Sequence, residues 1–213
     1  MPNIPSKEEM LHALEERHGA ELQRKFSSAS VAICGLGGLG SNIALSLARA
    51  GVGKLHLIDF DRVDLSNLNR QQYASAQLGR YKTEALRENL LAVSPYLDVV
   101  ADTVRVTEDN LAELLGKDEI ICEAFDRAEA KAMLVNGVLE TFPEKYLVSG
   151  SGMAGLSSSN SIRTRQITKR FYLCGDGTSD VADGLGLVAP RVMLCAAHQA
   201  NMILRIIAGE YEP

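Results

Sequence analysis

VAICGLGGLGSNIALSLARAGVGKLHLID, residues 31–59, decides the fold. Residues 31–34 are apolar and read as a short buried strand, and Gly35-Leu36-Gly37-Gly38-Leu39-Gly40 follows at once, satisfying G-x-G-x-x-G. Residues 41–50 form a small-residue helical pattern that closes on Gly51-Val52-Gly53, and residues 55–58 read as the next strand. In this strand–turn–helix setting the glycines have a physical task. They remove side chains where backbone must approach a phosphate, and the helix N-terminus offers free N–H donors and the positive end of its dipole. Asp59 stands 19 residues beyond Gly40 at the end of the second strand, where a carboxylate can accept both ribose hydroxyls. The combination points to an adenine nucleotide, and on its own does not separate NAD from ATP.

Outward from this unit, strand and helix patterns alternate. Residues 7–26 are a helical leader broken near Gly19. Residues 80–93 read as an amphipathic helix, 99–106 as a strand, 107–116 as a helix, 119–122 as a strand, 127–139 as a helix and 145–149 as a strand. Residues 160–168 have a period-two character that suggests an antiparallel addition, residues 174–187 (CGDGTSDVADGLGL) read as a mobile loop, and residues 190–208 as a closing apolar helix. The expected fold is therefore α/β, a Rossmann-like doubly wound, mostly parallel sheet with an antiparallel C-terminal addition. Its organisation is a helical leader (1–28) and one nucleotide-binding domain (29–213).

Composition narrows the function classes. The chain has 213 residues, 46% hydrophobic and 23% charged, close to the globular average and enough for one large domain. Lys and Arg total 22 against 27 Asp and Glu, and a net charge of −5 disfavours nucleic acid as a partner. The first 30 residues carry charges throughout with no apolar signal region, and no apolar run is long enough for a membrane span, so a cytoplasmic protein is expected. Cys34, Cys122, Cys174 and Cys195 form no C-x-x-C pair, and His12, His18, His56 and His198 have no metal-ligand spacing; neither a disulfide framework nor structural zinc is expected.

Residues 59–71, DFDRVDLSNLNRQ, favour ATP. A dehydrogenase needs only the ribose-binding acid, whereas this stretch adds Asp61, Asn67, Arg70 and Gln71, and Lys82 follows at the start of a helix. Carboxylates and cations around a phosphate cradle suit displacement at phosphorus, where catalysis is mostly positioning and charge neutralisation.

These residues resemble the ThiF/MoeB/ubiquitin-activating superfamily: G-x-G-G-L-G, then G-V-G-x-L-x-L-x-D-x-D-x-V-x-x-S-N-L-x-R-Q, then G-x-x-K, almost unbroken over residues 31–95. Weaker similarity runs through Phe125-Asp126 to the last helix, and the short length looks most like a compact ThiF-like protein of thiamine biosynthesis. The resemblance implies MgATP-dependent adenylation of the C-terminal glycine of a small ubiquitin-like sulfur carrier ending in Gly-Gly, carried out by a homodimer. By matching position it implies that Gly35, Gly37, Gly38, Leu39 and Gly40 pack on the nucleotide and Asp59 holds the ribose with Asp61 nearby. Asn67, Arg70 and Gln71 would contact phosphates, Lys82 would stabilise triphosphate charge, and Asp126 would help hold Mg²⁺.

Four departures from the family pattern stand out. Asp126-Arg127 replaces Asp-Asn, the N-terminal R-Y-x-R-Q pattern is absent, with Arg17 and Arg24 either substituting for it or standing as solvated helix-surface charges, and the paired zinc cysteines of longer relatives are missing. Cys174, in the flexible region, is a candidate for sulfur transfer, although its spacing from Pro190 differs from the family's; the alternative is an unreactive cysteine at a strand end. The basic run Arg163, Arg165, Lys169 and Arg170 reads as a solvated strand face, with docking of an acidic carrier as the alternative, and His198 as a packing residue or interface group. Rival readings are an NAD(P)-dependent oxidoreductase, a nucleotide-binding partner protein without catalysis, and an enzyme activating a different carboxylate.

Overall fold

A computed structural model describes residues 4–213. In chain order the elements are α1 (Lys7–His18), α2 (Ala20–Ser28), β1 (Ser30–Cys34), α3 (Gly38–Ala50), β2 (Lys54–Ile58), α4 (Lys82–Val93), β3 (Asp98–Asp102), α5 (Glu108–Leu115), β4 (Ile120–Glu123), α6 (Ala128–Thr141), β5 (Tyr146–Gly150), β6 (Arg163–Thr168), β7 (Phe171–Gly175) and α7 (Ala189–Ala208). One sheet of seven strands has the order β3-β2-β1-β4-β5-β7-β6. Every neighbouring pair is parallel except β6 with β7. The strand order reverses between β1 and β4, and a doubly wound sheet opens a crevice beyond the carboxyl ends of the strands at such a point.

Alternate strand residues feed two cores. Val31, Ile33, Leu55, Leu57 and Val148 pack with Ile43 and Leu47 of α3, Leu86 and Leu90 of α4, and Val192 and Ile203 of α7. Ala32, Cys34, Ile58, Ile121 and Leu147 pack with Leu111 and Leu115 of α5 and Leu134 and Val138 of α6. Each fully buried Leu or Ile contributes about 1.5–3 kcal/mol from removal of apolar surface from water, so the central strands are held from both faces.

The N-terminal helices follow from local chemistry. Ser6 and Glu9 close a reciprocal capping box on α1, and Gly19, at φ 91°, provides the left-handed break before α2. Phe26 and Gln23 are buried, Gln23 Nε2 donates to Gly51 O at 3.0 Å, and Lys25 Nζ donates to Ala208 O at 2.7 Å. The leader is thus fastened to the C-terminal ends of α3 and α7. Among the described residues no helix is long and apolar enough to cross a membrane.

Three expectations about boundaries change. The strand expected over 99–106 ends at Asp102. α3 starts three residues early, at Gly38, because the glycine turn itself forms the helix entry. Cys174 and Gly175 belong to β7 and not to a mobile loop. β7 escaped sequence reading because both its faces are covered, so Phe171, Tyr172, Leu173 and Cys174 show no alternation of polarity.

One buried polar cluster ties the sheet's edge to its centre. His56 of β2 has one ring nitrogen 2.8 Å from Asp118 Oδ2 and the other 2.8 Å from Asp102 Oδ2. Burial opposes the charged ring, but the bonds to Asp118 and Asp102 outweigh it and hold its pKa above the ordinary histidine value.

Candidate active site

The four glycines of the turn have different jobs. Gly35 has φ 93°, and a Cβ there would lie 2.8 Å from Ala124 O in the turn after β4, so the two turns can meet only without a side chain. A Cβ on Gly40 would lie 1.8 Å from Gly35 O, and one on Gly38 would lie 2.8 Å from Val192 Cγ1 of α7. These three serve internal packing. Gly37 has only Gln71 Nε2, at 3.8 Å, near its Cβ position. Gly37 caps α3, and the N–H groups of Gly38, Leu39 and Gly40 head the helix with no intrahelical acceptor. Gly37, uncrowded apart from that one ordinary contact, and three such donors suit an approaching phosphate. Leu39 offers such a ligand only its backbone, because its side chain is buried in the core.

Asp59 supports this turn. Its Oδ2 accepts from Leu36 N at 2.6 Å and its Oδ1 from Asp61 N at 2.8 Å, while Tyr73 Oη donates to Leu36 O at 2.8 Å. Burial pushes the Asp59 pKa up, and the Lys82 charge and the two N–H donors oppose it. Both oxygens already hold backbone, so Asp59 fixes the glycine turn to β2, and ribose hydroxyls would share its remaining lone pairs.

The following segment folds back onto the turn. Asp61 Oδ2 accepts from Lys82 Nζ at 3.0 Å; the Lys82 side chain is buried and that of Asp61 is half exposed. Asn42 Nδ2 of α3 donates to both Gly38 O (2.6 Å) and Arg70 O (3.0 Å), and Arg70 Cγ lies 3.4 Å from the Cβ position of Gly38. Arg70 Nη1 donates to Ser66 O and Asn69 Oδ1. Asn67 Oδ1 accepts from Asp64 N at 3.3 Å, stabilising the short turn 65–67. Gln71 is buried, and its Oε1 has no hydrogen-bond partner. A buried unpaired acceptor is uncommon, and this one sits beside the open face of Gly37.

Asp126 is exposed in the turn between β4 and α6, the turn that Gly35 abuts. Among the described residues no group of three or more His, Cys, Asp or Glu gathers as a metal site. The residue that shapes this turn is Glu123, which sequence reading missed. It is fully buried; Oε1 accepts from Phe125 N at 2.7 Å, and Oε2 accepts from Lys131 Nζ at 2.6 Å and from Ser149 Oγ. Lys131 Nζ also donates to Gly150 O at 2.8 Å. The available signal was an acid closing the apolar run Ile120-Ile121-Cys122, with a lysine eight residues on.

Other candidates lie away from the site. Cys174, expected in an exposed loop, is buried in β7 with its thiol pushed up to about 11 by burial, 3.5 Å from Thr164 Oγ1. The thiolate that sulfur chemistry needs is disfavoured there. Cys34, Cys122 and Cys195 are buried as expected, and His198 Nδ1 pairs with Thr164 Oγ1 at 3.0 Å. Arg17 and Arg24 are exposed on the leader, whose attachments lie at the ends of α3 and α7 remote from the glycine turn. A concavity of about 500 Å³ lined by Lys25, Ile120, Tyr146 and Arg170 lies at the amino ends of the strands, opposite the glycine turn.

Residues 11–213 match the ThiF family. The chain belongs to the ThiF family. Within it, the Escherichia coli molybdopterin-synthase adenylyltransferase is 30% identical over 198 residues, covering 90% of this chain and 78% of the relative. The sulfur carrier protein adenylyltransferase of Thermus thermophilus is 33% identical over 136 residues, covering 63% of this chain and 45% of the relative. The crystal structure of the E. coli tRNA N6-threonylcarbamoyladenosine dehydratase TcdA with ATP superposes with a TM-score of 0.84 at 22% identity, covering 97% of this chain and 98% of that one. That likeness establishes the shared fold, which for this ThiF family member is the doubly wound sheet expected from its sequence.

Proposed function

We propose that this ThiF family protein is an adenylyltransferase that uses MgATP to activate the C-terminal glycine of a small ubiquitin-like sulfur carrier, acting in thiamine biosynthesis as a homodimer. The observation that carries the reading is the packing of the Arg70 stem, Cγ at 3.4 Å and Cδ at 3.5 Å, against the Cβ position of Gly38, which holds an arginine in the segment folded onto the glycine turn. A dinucleotide also places its diphosphate at such a turn, so titration with ATP and with NAD is what separates the two readings. Molybdopterin-synthase and sulfur-carrier adenylyltransferases among the relatives support the same chemistry.

In this reading the N–H groups of Gly38, Leu39 and Gly40 hold phosphate oxygens, Gln71 Oε1 accepts from a donor on the bound ligand, and Asp59 keeps the turn rigid while meeting the ribose. A carboxylate oxygen of the carrier attacks the α-phosphorus of ATP. A new P–O bond forms, the bond from the α-phosphorus to its bridging oxygen breaks, and pyrophosphate departs with the negative charge. Asn67, Arg70 and Lys82 stabilise that charge; the protein supplies no covalent nucleophile. Asp126, an exposed carboxylate in the crevice, has the hard oxygen donors that Mg²⁺ prefers, and the ion supplies neutralisation of phosphate charge. Lys82 enters the reaction already paired with Asp61, so closing on the triphosphate exchanges one anionic partner for another.

The test is pyrophosphate release from MgATP by the purified protein with and without a Gly-Gly-ended carrier, alongside titration with ATP and with NAD. Carrier-dependent release and ATP binding support the proposal. NAD binding without ATP binding replaces it with an oxidoreductase, and ATP binding without release with any carrier leaves a partner protein without catalysis.

A further inference from the structure

Arg191 lies in the first turn of α7, where the helix dipole disfavours a cation, and it is only 5% exposed. Its guanidinium has five N–H donors, and all are directed into two loops. Nε donates to Ala154 O (3.2 Å), Nη1 to Ser157 O (2.9 Å) and Ser158 O (3.1 Å), and Nη2 to Ser161 Oγ (3.2 Å) and Asp176 Oδ2 (2.5 Å). Asp176, equally buried, also accepts from Thr178 N, Ser179 N and Ser179 Oγ, and these bonds with Arg191 overcome its burial and hold its carboxyl well below the usual range. A buried pair of this kind adds little net stability, and its use is to select one arrangement.

The loops it arranges are 151–161, after β5, and 176–188, after β7, both at the carboxyl end of the sheet. They connect to the site through two contacts. Val192, the next residue after Arg191, touches the Cβ position of Gly38 at 2.8 Å, and Leu187 O at the far end of the second loop accepts from Asn69 Nδ2 at 3.0 Å, next to Arg70. With every donor engaged, Arg191 has none left for a phosphate.

We propose that Arg191 is a positioning residue for adenylation: its bonds to loops 151–161 and 176–188 fix them against the glycine turn and the Arg70 segment, so that the carrier's carboxylate meets the α-phosphorus in line. This rests on the adenylation reading above. Lysine at this position keeps the charge but offers three donors from one nitrogen, and cannot span acceptors on both loops. Arg191→Lys therefore lowers kcat for carrier-dependent ATP–pyrophosphate exchange by about 10- to 100-fold and leaves KM for ATP within about twofold. It also speeds amide hydrogen exchange in both loops while α3 and β1 stay protected. Asp176→Asn, which keeps shape and removes the anion, moves the same readouts in the same direction and stands in if Arg191→Lys fails to fold.

Wild-type kcat in these variants, or unchanged protection of the two loops, overturns the proposal. A loss that falls on KM for ATP with kcat unchanged also overturns it, since it places Arg191 in nucleotide binding. If the wild-type protein shows no exchange with any Gly-Gly-ended carrier, the adenylation reading fails with its positioning role, whereas exchange in the wild type combined with indifferent variants fails this inference alone.

Discussion

Gly37→Ala separates ligand binding from folding at the glycine turn. The added Cβ meets only Gln71 Nε2, at 3.8 Å, an ordinary contact. The backbone there has φ −76°, a value open to any residue, and the stiffer unfolded chain of alanine favours folding by about 0.4–1 kcal/mol. Net stability should change by no more than about 1 kcal/mol. For the nucleotide the same methyl occupies the face of the turn on which the phosphates are proposed to lie. Losing one N–H bond to a charged phosphate costs about 1.5–3 kcal/mol, an ATP affinity about 10- to 150-fold weaker. Gly40→Ala is the counterpart: its Cβ would lie 1.8 Å from Gly35 O, so backbone must move and about 3 kcal/mol or more of stability is lost. ATP titration calorimetry and urea unfolding on both variants make the comparison. Wild-type ATP affinity in folded Gly37→Ala would refute the placement of the phosphates on this face.

His56→Gln tests the buried cluster by pH. Because the His56 pKa is raised in the folded state, its stabilisation is fully present below the unfolded value of about 6.5 and is lost as pH rises through the folded value. Urea unfolding should show wild type ahead of His56→Gln by about 1.5–3 kcal/mol near pH 6, with the gap closing at alkaline pH; a gap that widens with pH contradicts the charged bridge. Glu123→Gln leaves Lys131 without its anion in a buried site and should cost about 3 kcal/mol in unfolding free energy. Asp126→Ala, at an exposed position, should keep stability within about 0.5 kcal/mol and abolish pyrophosphate exchange. Thiol titration should find all four cysteines unreactive until the protein is unfolded, since each is buried.

The region from β1 to α4 was legible because its signals are local: a glycine motif between strand and helix, an acid at the end of the next strand, and a polar stretch with no other task. Asp59 stands out in the sequence as the acid closing β2, but its bond to Leu36 does not, because that bond joins residues 23 positions apart in the chain. β7 and Cys174 were misplaced because a strand covered on both faces lacks the alternation that marks strands, and the glycines after it look like loop. Glu123 and Arg191 were invisible for a different reason. Their importance comes from partners in other elements, Ser149 and Gly150 for the one cluster and loops 151–161 and 176–188 for the other, and nothing in the local sequence announces those meetings.

The central claim is that the protein joins AMP to a terminal glycine carboxylate. The most direct measurement is ATP–pyrophosphate exchange with a Gly-Gly-ended carrier and with the same carrier lacking its last glycine. The account predicts exchange with the intact carrier and none with the shortened one. Equal exchange with both, or exchange with neither while the protein binds ATP, would contradict it.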